Sequence, residues 1–164
     1  MDLQRPFTII TPTADGDALS VLAGADRAFT ASEVQRLAGR RSIQGIRQAL
    51  KRLEEQGIVT ATRAGNAVLF GLNRRHLGAD AIIQLASIRD ELIARLQEQL
   101  AGWDPACEYA ALFGSAATGG MRPSSDIDLL VVRADSLDPD EPSWREQLGM
   151  LTRSVAGWTG NDPQ

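Results

Sequence analysis

Apolar residues recur every three or four positions through much of the first half of the chain, a spacing typical of helices. Thr30 and Glu33 have the spacing of a capping box and open one predicted helix, which Gly39 ends. Ser42 can cap the next helix, which Gly57 closes. The apolar positions of this second helix are expected to face the core: Ile43, Ile46, Leu50 and Leu53.

Two runs rich in β-forming residues follow these helices. They span residues 58–63 and 67–72 and are joined by Ala64, Gly65 and Asn66, a short loop of the kind that connects hairpin strands. The predicted order of elements up to this point is therefore helices followed by a hairpin.

A longer helical pattern covers residues 79–100, after a segment that reads as a connection. Its apolar residues form one stripe: Ile82, Leu85, Ile88, Leu92, Ile93, Leu96 and Leu100. Such a helix could link two modules, pair with its copy in a homodimer, or cover the core of its own chain. The last interpretation is at least as well supported as the others.

The remainder of the chain reads as strand, loop, strand and helix. Strands are predicted over residues 109–113 and 127–132, and a helix over residues 142–155. The predicted fold class is α/β (α+β) in two modules. The predicted boundaries are 1–78 for the first domain, 79–104 for a linking helix and 105–164 for the second domain.

The distribution of charge supports two modules with different partners. The whole chain has 17 basic and 21 acidic residues, so its net charge is only −4. Residues 27–75 contain ten basic and three acidic residues, whereas residues 101–164 contain four basic and ten acidic ones. The first module could face an anionic partner and the second could hold metal ions, although two solvated surfaces of unequal charge would look the same.

Composition excludes two classes of protein. A single cysteine, Cys107, cannot form an internal disulfide, which excludes a disulfide-built secreted scaffold. No apolar run is long enough to cross a membrane, and the first residues do not resemble a signal peptide. We therefore expect a cytoplasmic protein with no membrane partner.

The segment that indicates chemistry is Gly114-Ser115, followed after ten residues by Asp126-Ile127-Asp128. Side chains alternate along a strand, so Asp126 and Asp128 are expected to point the same way. Two adjacent carboxylates repel each other unless a cation lies between them, and Mg²⁺ or Mn²⁺ suits that role. Gly114 and Ser115, directly after a strand, offer backbone amides and a hydroxyl to a triphosphate. A chain of this length matches the spacing by chance with a frequency of about 10⁻³.

These residues resemble the signature of the DNA polymerase β-like nucleotidyltransferases, especially the small prokaryotic ones, over about residues 105–158. The resemblance implies that Gly114 and Ser115 contact nucleotide phosphates and that Asp126 and Asp128 bind the divalent metal and are catalytic. It also implies attack of an acceptor hydroxyl on the α-phosphate of a nucleoside triphosphate. Active members usually carry a third carboxylate on a later strand. Here neither Asp162 nor its neighbour Pro163 reads as part of such a strand.

The pattern of the first module, with the phrases LKRLEEQGIV and GNAVLFGLN, resembles a winged helix-turn-helix of bacterial transcription regulators over residues 15–75. This resemblance implies binding of double-stranded DNA, with the helix after Ser42 in the major groove. Polar and basic residues on its outer face would read bases, Arg40 and Arg41 before it would hold phosphates, and Arg63 would reach the backbone or minor groove. The outer-face residues are Gln44, Arg47, Gln48 and Lys51.

Three functions remain open from the sequence. The first is a metal-dependent nucleotidyltransferase coupled to a DNA-binding module. The second is a non-enzymatic transcription regulator whose degenerate transferase domain senses nucleotide. The third is an antitoxin-like protein that modifies a cognate toxin, so that the acceptor would be a protein.

Overall fold

The computed structural model describes residues 1–39 and 41–164, which form mixed α and β structure divided into two units. One unit is Arg5–Ile88, and the other joins Met1–Gln4 to Arg89–Gln164. The boundaries predicted at residues 78 and 104 differ from these. The first four residues belong with the C-terminal unit because the Gln4 side chain donates a hydrogen bond of 2.9 Å to the carbonyl of Ala116.

The N-terminal unit consists of helices and one three-stranded sheet. After a 3-10 helix over Pro6–Ile9, its elements are α1 (Ala14–Ala23), β1 (Phe29–Thr30), α2 (Ala31–Ala38), α3 (Ile43–Glu55), β2 (Val59–Ala64), β3 (Ala67–Leu72) and α4 (Ala79–Ala86). The sheet is antiparallel with strand order β1-β3-β2. Val59 pairs with Leu72 and Ala64 with Ala67, so the predicted hairpin is confirmed.

The predicted caps set the bounds of α2 and α3. Thr30 Oγ1 accepts from the amide of Glu33, and the Glu33 carboxylate accepts from the amide of Thr30, which completes the capping box. These hydrogen bonds from Thr30 lower the pKa of Glu33. Gly39 ends α2 with a φ of 73°, and Ser42 Oγ caps α3 by accepting from the amide of Gly45.

The core of this unit lies between the helices and the sheet. Its fully buried side chains include Leu22 of α1, Val34 of α2, Ile46 and Leu50 of α3, and Val59 of β2. Each contributes roughly 1.5–3 kcal/mol relative to an exposed position. Because Ile46 and Leu50 face inward, the opposite side of α3 is left to solvent, as its apolar spacing predicts.

The segment predicted as one linking helix over residues 79–104 is divided into two helices. The chain leaves helical geometry at Ser87, so α4 ends at Ala86 and α5 spans Ile88–Ala101. The apolar stripe is divided between the two units. Ile82 and Leu85 pack against the core of the N-terminal unit, whereas Leu92 and Leu96 are buried in the C-terminal unit. Homodimer formation through this stripe stays a prediction.

The C-terminal unit contains α5 and a two-stranded sheet with two further helices. After α5 come β4 (Tyr109–Leu112), α6 (Gly114–Thr118), β5 (Leu129–Val132) and α7 (Pro142–Thr159). Strands β4 and β5 are antiparallel and pair Tyr109 with Val132. Trp103 and Trp144 are buried against each other edge to face, with ring centroids 5.3 Å apart. Within the described residues, no helix combines the length and apolar character needed to span a membrane.

The segment around Asp162 forms no strand, as expected, but it makes an isolated bridge to the residue between the two aspartates. Ile127 forms a parallel bridge with Pro163, whose missing amide is not needed there. The hydrogen bonds come from the residues on either side: the amide of Ile127 donates to the carbonyl of Asp162, and the amide of Gln164 donates to the carbonyl of Ile127. A proline is therefore tolerated at the position where the sequence argued against a strand.

Candidate functional site

The predicted glycine-serine turn and aspartate pair lie together at one end of the β4–β5 sheet. The amide of Phe113, just after β4, donates a 3.0 Å hydrogen bond to the carbonyl of Asp128, just before β5. Helix α6 begins at the next residue, Gly114. The chain therefore turns from strand to helix directly beside Asp128.

Gly114 and the Asp128 carboxylate are in such close contact that no other residue fits at position 114. A Cβ atom built on Gly114 would lie 1.9 Å from Asp128 Oδ2 and 2.8 Å from its Cγ. Gly114 also has a φ of 62°, in the left-handed region that favours glycine. The contact fixes the turn against the carboxylate and explains the glycine of the motif.

Asp126 and Asp128 flank a residue of the core. Ile127 between them is completely buried, whereas Asp126 is exposed and Asp128 half-buried. The predicted alternation is present, although β5 begins at Leu129 rather than at residue 127. None of the ion pairs among the described residues involves either carboxylate. Both charges are therefore available to a cation.

The donor set fits a hard divalent cation that keeps part of its water. Mg²⁺ is commonly held by one or two carboxylates, with water and substrate phosphates completing its shell. Asp126 and Asp128 supply two such carboxylates. Because Gly114 has no side chain, the Asp128 carboxylate can lie directly beside it. Across residues 1–39 and 41–164, no three His, Cys, Asp or Glu side chains come together as a metal site.

The loop between α6 and the aspartates is held by a tight turn and by one buried side chain. The amide of Ser125 donates to the carbonyl of Arg122, while Ser125 Oγ accepts from the amide of Arg122. Asn161, which is 4% exposed, donates to the carbonyls of Pro123 and Ser125. Ser115 is half-buried at the start of α6, and the Arg122 side chain is exposed. Nothing in the local sequence singles out Asn161, because its contacts are about 36 residues away in the chain.

The sheet face that carries Asp128 continues into apolar side chains. Tyr109, Phe113, Leu130 and Val132 are exposed and alternate with residues of the opposite face. The opposite face lines an apolar cavity together with α5 and α7, through Ala110, Leu112, Leu129 and Val131. One side of the sheet is therefore partly covered within the unit, and the other is open next to the aspartates.

In the N-terminal unit, the predicted base-reading residues share one exposed surface. Gln44, Arg47, Gln48 and Lys51 are all exposed on α3. Lys51 Nζ lies 3.8 Å from Glu55 Oε1, which is one turn further along the same helix. Such an exposed pair contributes little, so the ammonium group stays available to another anion. Arg63 is exposed on β2, where it pairs with Val68 near the hairpin turn.

The two arginines predicted to hold phosphates before α3 have different outcomes. Arg41 is used within the unit: its Nε lies 2.5 Å from Asp17 Oδ2, and its guanidinium also donates to the carbonyl of Pro12. Asp17 is almost buried and is shared with Arg5, so Arg41 already has an anionic partner within the unit. A phosphate role for Arg41 stays a prediction. Arg40 lies outside the described residues.

A second ion pair holds the other end of α3. Arg52 Nη2 lies 2.7 Å from Asp15 Oδ2, and hydrogen bonding from this guanidinium lowers the pKa of Asp15. Asp15 and Asp17 of α1 therefore contact arginines at the end and at the start of α3.

Comparison with known proteins supports one of the two resemblances directly. Residues 95–152 match the family model described as polymerase beta, nucleotidyltransferase. The match starts within α5, earlier than the expected residue 105, and it includes the glycine-serine turn and both aspartates. No curated protein matches the chain.

One similar solved structure is that of a mutant of ZitR from Lactococcus lactis. It is 23% identical, covers 52% of this chain and 57% of its own, and has a TM-score of 0.41. The chain thus spans little more than half of that protein. From the family match, residues 95–152 are similar to the nucleotidyltransferase domain of the polymerase β family.

Proposed function

We propose that the protein transfers a nucleoside monophosphate from a nucleoside triphosphate to an acceptor hydroxyl. The observation that carries this proposal is the contact of Asp128 with Gly114, inside the segment that matches the nucleotidyltransferase family. This contact brings the two halves of the motif together, although ten residues separate Ser115 from Asp126. Carboxylates for a cation then lie beside backbone amides suited to phosphates.

The reaction assigns a separate task to each group. The acceptor hydroxyl loses its proton to solvent as its oxygen forms a bond to the α-phosphorus, the bond from that phosphorus to its bridging oxygen breaks, and pyrophosphate leaves. A divalent ion, when bound, supplies charge stabilisation for the entering and leaving oxygens. Asp126 and Asp128 would hold that ion, and the amides at Gly114 and Ser115 would orient the phosphates.

The reaction is tested with a nucleoside triphosphate labelled at either the α- or the γ-phosphorus, in the presence of Mg²⁺. We expect the α label in a nucleoside monophosphate or its adduct, and the γ label in pyrophosphate. With the Asp126→Asn, Asp128→Asn double variant, both labels should stay in the triphosphate. Release of the γ label as inorganic phosphate would contradict nucleotidyl transfer. Binding of nucleotide without movement of either label would favour the nucleotide-sensing regulator instead.

Replacing Ser115 by Ala is expected to weaken triphosphate binding by roughly 10- to 150-fold, the value of one hydrogen bond to a charged group. Binding of Mn²⁺ alone should change by less than about twofold, because Ser115 is not among the proposed metal ligands. Titration calorimetry with Mn²⁺ and then with nucleotide separates the two effects. An equal loss in both titrations would place Ser115 in the metal site.

We further propose that the N-terminal unit is a winged helix-turn-helix that binds double-stranded DNA through α3. The order α1, β1, α2, α3 and hairpin supports this proposal, together with the exposed positions of Gln44, Arg47, Gln48 and Lys51. Arginine and glutamine make bidentate contacts with guanine and adenine in the major groove. Arg63 at the hairpin would contact the DNA backbone or minor groove, and a role in transcription regulation would follow.

The Arg47→Ala, Lys51→Ala double variant tests this surface. On a mixed-sequence duplex, we expect the slope of log affinity against log salt to fall by about one unit for each DNA phosphate that the variant no longer neutralises. The Arg145→Ala, Arg153→Ala double variant is the matched control, since it removes the same charge from the C-terminal unit. Fluorescence anisotropy over a salt series gives both slopes. Equal affinity and equal slope for wild type and the α3 variant would exclude α3 as the reading helix.

The acceptor is proposed to be a protein rather than a nucleic acid. Tyr109, Phe113, Leu130 and Val132 give the open sheet face beside the aspartates an apolar character. Residues 101–164 carry four basic and ten acidic residues, a balance that repels a second polyanion. An acceptor protein with an apolar patch is therefore favoured over a nucleic acid acceptor, as in the antitoxin-like alternative.

A further inference from the structure

Asn161 joins three separate segments of the C-terminal unit. Its side-chain amide donates to the carbonyl of Ser125 at 2.8 Å and to that of Pro123 at 3.1 Å. Its Oδ1 accepts from the amino group of Met1, and its backbone amide donates to Thr159 Oγ1. All polar groups of the side chain are satisfied while the residue is buried. Such an arrangement is costly to alter, because any substitution leaves buried polar groups without partners.

The two carbonyls that Asn161 holds belong to the loop that immediately precedes the aspartate pair. Ser125 is adjacent to Asp126, and hydrogen bonds join the ends of the turn from Arg122 to Ser125. On the other side of Asp126, Ile127 is fixed by its burial and by its bridge to Pro163. Asp126 itself is exposed, so the backbone on either side of it decides where its carboxylate lies.

We infer that Asn161 is a positioning residue for the Asp126–Asp128 pair. This inference rests on the proposed function of the same site. Asn161 acts through the backbone of Pro123 and Ser125, and none of the hydrogen bonds that it makes reaches either carboxylate. Without its two donors, the backbone before Asp126 would lose its anchor. The separation of the two carboxylates would then vary, and the cation would be held more weakly.

The chain offers a close control in Gln147. This second buried side-chain amide accepts from the amide of Asp104 at 2.7 Å and donates to the carbonyl of Pro105 at 3.3 Å. Gln147 therefore anchors the backbone of residues 104–105 by hydrogen bonds, as Asn161 anchors the backbone before Asp126. Neither Asp104 nor Pro105 belongs to the proposed site. Comparing the two residues separates loss of a buried amide from loss of position at the aspartates.

The test compares Asn161→Asp with Gln147→Glu. In Asn161→Asp the acceptor toward Met1 is kept, but both donors toward the loop become a carboxylate oxygen facing two carbonyls. We expect the dissociation constant for Mn²⁺ with a non-hydrolysable nucleoside triphosphate to rise by about tenfold or more, as for other residues that orient metal ligands. Gln147→Glu should lower the melting temperature comparably while changing that constant by less than about twofold.

A second variant and a second measurement keep the result decisive. If Asn161→Asp does not fold, Asn161→Ser takes its place in the test. Serine retains one hydrogen-bond donor, so we expect a smaller loss of Mn²⁺–nucleotide affinity. Amide chemical shifts of the apo protein should change over residues 122–128 in the Asn161 variants and near residues 104–105 in Gln147→Glu. Shifts that leave residues 122–128 unchanged would overturn the inference, as would equal effects of both substitutions on Mn²⁺–nucleotide affinity. If wild type binds no Mn²⁺–nucleotide, the proposed function fails, and the chemical shifts alone decide whether Asn161 holds the loop.

Discussion

Replacing Gly114 by Ala is expected to remove most of the affinity for Mn²⁺ with nucleotide, on the order of 100-fold. The new Cβ would lie 1.9 Å from Asp128 Oδ2, so the carboxylate must leave its present position. The φ of 62° adds a backbone cost of roughly 1–2 kcal/mol. Loss of a residue that only orients a metal ligand costs about 10- to 100-fold in metal affinity, so displacing the ligand itself is enough for a loss of this size. Calorimetric titration of the folded variant, checked by circular dichroism, measures it.

Two nearby glycines separate the steric effect from its alternatives. Gly119 has a φ of 86°, but a Cβ atom at this position would meet nothing within 4 Å, so Gly119→Ala introduces backbone strain alone. Gly120 has neither constraint, so Gly120→Ala should behave like wild type. If Gly119→Ala lowered nucleotide affinity as much as Gly114→Ala, backbone strain rather than contact with Asp128 would explain the glycine.

Changing either aspartate of the pair to asparagine is expected to cost at least about 100-fold in Mn²⁺–nucleotide affinity, equivalent to roughly 2.7 kcal/mol. Each substitution keeps the size of the side chain but removes a charge from a site that has two, and ligand charge sets the affinity for hard cations. Glu108→Gln, an exposed carboxylate elsewhere in the same unit, is the control for loss of charge. Unchanged binding in both Asp126→Asn and Asp128→Asn would refute the assignment of the metal ligands.

The sequence was most informative where local interactions determine the structure. The capping box of Thr30 and Glu33, the Ser42 cap and the strand over Ala67–Leu72 all lie where they were predicted. Each depends on residues only a few positions apart. The motif spacing likewise indicated residues that the fold brings together, namely Gly114, Ser115, Asp126 and Asp128. It did so because Gly114, after one strand, contacts Asp128, before the next.

The sequence was least informative where distant residues decide. Arg41 looked like a free cation in the sequence, but Asp17, which is 24 residues away, forms an ion pair with it. The break at Ser87 was hidden because the apolar stripe is continuous, although its two halves enter different cores. The role of Asn161 depends on contacts with Pro123 and Ser125, which no local pattern reveals.

The central claim is that a divalent ion and a triphosphate bind where Gly114 meets Asp128. The most direct test is an anomalous difference map from a crystal of the protein with Mn²⁺ and a non-hydrolysable nucleoside triphosphate. We expect a Mn²⁺ peak in contact with the carboxylates of Asp126 and Asp128, with the phosphates against the amides at Gly114 and Ser115. A Mn²⁺–nucleotide complex bound elsewhere on the chain, with these two carboxylates free of metal, would contradict the claim.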